Sequence, residues 1–258
     1  MNKVILAPAG GRKTQSIIDE CLINQNTKKL IITFTTTGQE VLERRLWGSV
    51  LNKNIPVVTG WYSFLLRHFV RPYINNLYKG QKVNGLHFVT GQNPTIRRSG
   101  VDRYFDDDDR VYSVNIAKLS MEIYKKSSGA IINRLERIYD EIYIDEIQDL
   151  VGNDLEILEL LFKSKIRIFA AGDIRQSILT TSRSDQKNKK YRDLNKIEWF
   201  RKKQSEGIFT LEERNETWRC NQQIIDFADS VLPKDLNFPR TISRQSLSTD
   251  HDGVFVVS

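Results

Sequence analysis

Cysteine and histidine are scarce in this chain, and each scarcity removes a class of protein. The two cysteines, Cys21 and Cys220, lie far apart and without metal-ligand spacing. That excludes a disulfide scaffold and fits a reducing, cytoplasmic setting. The three histidines, His68, His87 and His251, are scattered and form no cluster. No run of about 18 apolar residues occurs, so no membrane span is expected. Met1–Ala7 enters a short apolar strand at once and lacks the long apolar core of a signal peptide. Repeats and low-complexity segments are also missing.

What is present is enough for a large core. The chain has 258 residues, of which 40% are apolar and 28% charged, with a formal net charge of +7. A positive balance suits a polyanionic partner, although surplus lysine alone carries little weight. Short apolar runs at Val4–Ala7, Leu30–Thr35, Ile55–Thr59, Glu141–Ile144, Ile166–Ala171 and Val254–Val257 read as buried strands. Helical faces lie between most of them: Ile17, Ile18, Cys21 and Leu22; Val41, Leu42, Arg45 and Leu46; Leu155, Leu158, Leu161 and Phe162. This alternation predicts an α/β fold, a parallel sheet with helices on both faces.

Residues 61–135 break the rhythm. They are rich in aromatics, from Trp61, Tyr62 and Phe64 to Phe69, Tyr73 and Tyr78, and then in polar turns with Gly80, Gly85, Gly91 and Gly100. They read as an inserted, mostly helical subdomain. The acidic run Asp106–Asp109 reads as a solvated loop rather than a metal site. Residues 183–203 are strongly basic, through Arg183, Lys187, Lys189, Lys190, Arg192, Lys196, Arg201, Lys202 and Lys203. Such a stretch either tracks phosphates or is a solvated lysine-rich loop.

Chemistry is concentrated at strand ends. After the first strand comes Ala7-Pro8-Ala9-Gly10-Gly11-Arg12-Lys13-Thr14 and then a helix. A phosphate-binding loop needs glycines so that backbone N–H groups approach the phosphates. It also needs a lysine for the β/γ oxygens, a hydroxyl for Mg²⁺ and a helix N-terminus facing the anion. Ala9, Gly10, Gly11, Arg12, Lys13 and Thr14 would form the nucleotide cradle. Arg12 stands where a glycine is expected, which predicts a crowded loop whose extra charge attracts phosphate. By itself the segment is equally an ordinary strand–helix turn. The strand Ile142-Tyr143-Ile144 runs into Asp145-Glu146, with Gln148 two positions on. Asp145, with Thr14, is placed to hold Mg²⁺, and Glu146 to orient and deprotonate a water attacking the ATP γ-phosphate. A further strand ends in Gly172-Asp173-Ile174-Arg175-Gln176. Solvated acids at one strand end do not explain why all these residues fall at strand C-termini, where α/β sheets bind ligands.

In this order the segments resemble the UvrD/Rep/PcrA-type superfamily 1 DNA helicases. Residues 7–14 are similar to motif I, and Thr33-Phe34-Thr35-Thr36 with Glu43-Arg44-Arg45 to motif Ia. Thr59 with Trp61-Tyr62-Ser63-Phe64 is similar to motif Ib, and Asp145–Asp149 to motif II. Gly172–Ile178 is similar to motif III, and Trp218-Arg219-Cys220-Asn221-Gln222-Gln223-Ile224 to motif IV. The resemblance implies a RecA-like P-loop domain over residues 1–60 and 136–212, interrupted by the 61–135 insertion. It implies the start of a second RecA-like domain over 213–258. It also implies ATP and Mg²⁺ as cofactors and single-stranded DNA, or a single/double-strand junction, as partner. Gln176 would sense the γ-phosphate, and Arg219 would reach it as an arginine finger. Thr33, Phe34, Thr35, Trp61 and Tyr62 would lie on DNA, the aromatics stacking bases at about 1–3 kcal/mol each; core packing is the competing role for each.

Two further departures from the family pattern shape the expectation. The N-terminal glutamine motif that reads adenine does not precede the first strand, and motifs V and VI do not follow within the chain. The expectation is a DNA helicase and ATP hydrolase at family level whose activity as this chain requires the missing motifs, supplied by a continuation or by a partner protein. The alternative is a catalytically impaired module that binds nucleotide or single-stranded DNA.

Overall fold

A computed structural model describes residues 1–24, 26–47, 56–89, 95, 98–177 and 185–246. The strand expected at Val254–Val257, together with Ile55, Gly91, Ile178, Arg183 and His251, lies outside the described residues. β1 (Lys3–Leu6) leads into α1 (Lys13–Ile23), followed by β2 (Lys29–Thr33), α2 (Thr36–Trp47) and β3 (Val57–Gly60). α3 (Trp61–Leu65) then widens into a π turn over Leu66–Val70 and closes as α4 (Arg71–Tyr73). β4 (Gly85–His87), β5 (Arg110–Tyr112), α5 (Ile116–Lys126) and α6 (Ala130–Ile138) complete the aromatic-rich segment. The chain returns through β6 (Glu141–Ile144), α7 (Asn153–Phe162), β7 (Arg167–Gly172), α8 (Lys196–Ser205) and β8 (Thr210–Glu213). Last come β9 (Glu216–Thr217), α9 (Gln222–Ser230) and β10 (Ile242–Ser243).

Six strands form one sheet in the order β3-β2-β6-β7-β1-β8, and every pairing is parallel. The α/β fold expected from the sequence is therefore present. The interior strands are apolar almost throughout, as a strand covered on both faces must be. Their alternation sorts them onto two cores. Ile5, Ile31, Tyr143, Phe169 and Ala171 point to the side covered by Ile17, Ile18 and Cys21 of α1 and by Leu42 and Leu46 of α2. Val4, Leu6, Ile32, Ile142, Ile144 and Ile168 point to the opposite side. There they share one core with Trp61, Phe64, Phe69, Leu119 and Ile123 of the 61–135 segment and with α7 and α8. Burial on the Cys21 side pushes that thiol up to about 11, consistent with an inert packing residue.

Several local expectations change. β2 ends at Thr33, because the Thr35 hydroxyl accepts from the Gly38 N–H at 3.0 Å and so caps α2. Arg45, counted above on an apolar face, is exposed. β8, Thr-Leu-Glu-Glu, gives no apolar signal; it pairs with β1 and is held also by the 2.7 Å Lys3–Glu212 bridge. Asp106 is not part of a uniformly solvated loop. Burial would raise its carboxyl, but bonds from His87, from the Arg110 N–H and guanidinium and from the Asp108 N–H hold it down at about 2. Among the described residues no group of three or more acids, cysteines and histidines is arranged to hold a metal, and no helix is long and apolar enough to cross a membrane.

Part of the basic stretch is a correction, although Lys187, Lys189, Lys190 and Lys202 are exposed. Lys196 is fully buried, so it is neither solvated nor free to track phosphate. Arg201 pairs with Glu213 at 2.8 Å and donates to the Leu236 carbonyl, while Lys203 bridges Glu159 and Glu206. The spacing of Lys196 to Trp199 and Phe200, one helical turn, is what turns it inward with them.

Two interior polar groups give tests. Trp61, 1% exposed, donates its indole N–H to Asp154 Oδ1 at 2.6 Å. Trp61→Phe leaves that buried carboxylate one donor short and should cost about 1–3 kcal/mol of unfolding free energy in urea titrations. Burial, with the charges of Arg134 and Arg67, pushes the His68 imidazole down to about 4. Its stabilising contribution is complete above the ordinary value near 6.5 and is lost as pH falls from there towards 4. The stability advantage of wild type over His68→Gln should therefore shrink by roughly 1.4 kcal/mol per pH unit across that window.

Candidate nucleotide site

Parallel pairing puts the C-terminal ends of β1, β6 and β7 on one edge of the sheet, and β7 lies between the other two. The loops at 7–14, 145–149 and 173–177 therefore converge. The Thr14 hydroxyl donates to Asp145 Oδ2 at 2.9 Å across 131 residues of sequence. Lys13 Nζ donates to the carbonyls of Ala7 and Pro8, both at 3.2 Å, and lies 3.7 Å from Asp173 Oδ2. That Asp173 oxygen is buried and accepts no hydrogen bond among the described residues. Burial raises the Asp173 carboxyl above its ordinary value, with Lys13 and Arg175 opposing.

Arg12 sits in the left-handed region at φ 56°, ψ 32°, the conformation for which a glycine is usual. The long cation turns away from the loop backbone. The Arg12 side chain is exposed, and its guanidinium stacks 4.1 Å from the centroid of the Trp218 ring. Such a contact contributes about 0.5–1 kcal/mol, which offsets part of the 1–2 kcal/mol or so that the backbone conformation costs. Gly10, at φ 73°, and Gly11 are required by close approach. A Cβ on Gly10 would come within 2.7 Å of Arg219 Cβ, and one on Gly11 within 2.8 Å of the Pro8 carbonyl.

β9 and the residues after it lie directly on this loop. The Thr217 hydroxyl donates to the Ala9 carbonyl at 2.6 Å, and the Trp218 N–H to the Gly10 carbonyl at 3.3 Å. Arg219 follows, its side chain exposed beside the loop and its N–H bonded to the Thr217 hydroxyl. Lys13, Thr14, Asp145, Glu146 and Arg219 are thus gathered at one sheet edge. Gln176 is exposed at the end of the turn that follows Asp173.

The 145–149 loop is fixed by a side-chain amide. Glu146 is held at φ 56°, ψ 41°, and its N–H donates to Asp145 Oδ1. Gln148 Nε2 donates to Glu146 Oε2 at 2.6 Å, while Gln148 Oε1 accepts from the Asp173 N–H at 2.9 Å. Gly172 is needed here, since a Cβ would stand 2.6 Å from Gln148 Oε1. Burial, then the Glu146 charge, pushes the Asp145 carboxyl up to about 6; Thr14, the Glu146 N–H and Lys13 oppose this. The sequence singles out Gln148 as part of a motif, but its bridging role depends on the β6–β7 register, which no local pattern carries.

The residues expected on DNA divide. Thr33 and Trp61 are each 1% exposed, so neither offers a surface to a base. Trp61 is a core residue, its ring packed between Phe34 and Phe64. Phe34 and Tyr62 are half-buried and Thr35 is exposed. Tyr62 meets Phe88 edge-on at 5.7 Å, and Phe88 is 62% exposed. Phe88 was not a sequence candidate, because an isolated aromatic in a polar segment carries no signal of its neighbours.

Residues 66–193 match the family model of the UvrD/REP helicase N-terminal domain. No curated protein matches the chain. The matched stretch contains the 145–149 and 172–177 loops, and the 7–14 loop packs against both from outside it. Joined in this way by a parallel α/β sheet, the 7–14 loop and the matched stretch form one fold, and the match over 66–193 supports a UvrD-like superfamily 1 helicase N-terminal domain.

Proposed function

We propose that this chain binds ATP on the 7–14 loop and hydrolyses its γ-phosphate in response to single-stranded DNA. The observation that carries the reading is the Thr14–Asp145 bond at 2.9 Å, with Glu146 next in sequence and tied through Gln148 to the Asp173 backbone. A hydroxyl and a carboxylate, with no nitrogen or sulfur donor, are the hard oxygen ligands that suit Mg²⁺. Bound there, Mg²⁺ would supply charge neutralisation at the phosphates.

The protein's own groups do the remaining work. The Gly10–Lys13 backbone N–H groups and the N-terminus of α1 accept the phosphate charge. Lys13 exchanges the Ala7 and Pro8 carbonyls for phosphate oxygens, a better partner for an ammonium. Glu146 orients a water and takes its proton. Arg219 brings a guanidinium to the developing γ-phosphate charge, as an arginine finger does. Gln176, exposed after Asp173, reports the phosphate to the DNA side. Phe34, Thr35 and Tyr62, at the ends of β2 and β3, would meet the strand. Trp61 supports them from beneath rather than stacking on a base.

Phosphate release from the purified chain with Mg²⁺ and ATP should rise on adding a single-stranded oligonucleotide. Glu146→Gln should lower kcat by about 10²–10⁴-fold with nucleotide binding retained. Equal release from the two proteins would refute hydrolysis at this site, and ATP binding without turnover would leave a nucleotide-binding module. Gly10→Ala should weaken nucleotide binding at least tenfold in fluorescence titrations, because its Cβ displaces the 217–219 segment from the loop.

A further inference from the structure

Among the described residues, Lys196 is the one lysine at 0% exposure, and the site described so far does not use it. It opens α8 at 0% exposure, among Ile197, Trp199 and Phe200. Its ammonium donates to the backbone carbonyl of Gln148, and the Ser177 hydroxyl donates to the same oxygen at 3.3 Å. Asp149 of the same loop, Asp154 of α7 and Asp193 just before α8 supply the surrounding negative charge. Burying an ammonium is costly, and an apolar side chain of similar size would do as well for packing alone. What the ammonium adds is a directed bond to one carbonyl, that of the residue whose side chain joins Glu146 to Asp173.

We propose that Lys196 is a positioning residue: by fixing the Gln148 carbonyl it holds the Gln148 amide between Glu146 and the Asp173 N–H, and so sets where the Glu146 carboxylate lies. The consequence for turnover rests on the role proposed above for Glu146. The consequence for geometry does not. Burial also brings the ammonium down to about 8, against the pull of the three carboxylates, which marks how far this charge is removed from water. The sequence assigns Lys196 to a basic loop; only the turn of α8 into the core makes it a support of the site.

The test is Lys196→Met, read by amide hydrogen exchange and by steady-state kinetics. Exchange of the Asp173 N–H should accelerate at least tenfold, while the Phe169–Ala171 amides of β7 stay as in wild type. kcat should fall at least tenfold with KM for ATP within threefold. Unchanged exchange at Asp173 would overturn the proposal whatever the activity. Uniform acceleration through β7 would do the same, since Lys196 would then support stability alone. Local acceleration with wild-type kcat would overturn the positioning role in turnover. If wild type itself releases no phosphate, the proposed hydrolysis fails, and the exchange data still decide whether Lys196 sets this geometry. Lys196→Gln, polar and too short to span the same distance, is read in the same way if the methionine variant does not fold.

Discussion

Placing β7 between β1 and β6 in a wholly parallel sheet is the constraint on which the site depends. Parallel register sends every strand's C-terminal end to the same edge, so three loops from distant parts of the sequence must meet there. Because β7 intervenes, the 7–14 and 145–149 loops are separated by one strand, and Asp173 occupies the gap. Thr14 spans it to Asp145, Lys13 approaches Asp173, and Gln148 reaches across from the other side. A different strand order would leave the same side chains without partners.

Around that constraint the structure holds unfavourable local states in place. Arg12 and Glu146 both take left-handed backbone conformations without being glycine, a cost that persists only where neighbours over-determine the geometry. For Arg12 the compensating neighbour is Trp218; for Glu146 it is the Gln148 amide. The buried Asp145, Asp173 and Lys196 are further costs at the same edge.

How much of this was legible in the sequence varies by element. β1, β2, β6 and β7 are visible as apolar runs because strands covered on both faces need apolar residues at nearly every position. β8 is not, since an edge strand paired on one side tolerates Leu-Glu-Glu. The candidate residues on the 7–14 and 145–149 loops are legible because loop chemistry is written locally, in Gly-Gly-x-Lys-Thr and Asp-Glu-x-Gln. Trp61 and Lys196 are misread for a single reason. Residue type says what a side chain can do, but exposure decides whether it faces solvent, and exposure is set by elements far away in sequence. Thr33 fails in the same way, at the last buried position of β2.

The sequence by itself determined the fold class, the order of the strand-end segments and the chemical groups offered at each, because strand periodicity and loop composition are local properties. Only the tertiary structure decided which of those groups meet. It set β9 on the phosphate loop, brought Trp218 over Arg12, joined Glu146 to Asp173 through one amide and turned a lysine from a basic run into the interior. The physical reason is that each of these contacts joins residues whose relative positions are fixed by sheet order and helix packing rather than by the segments themselves.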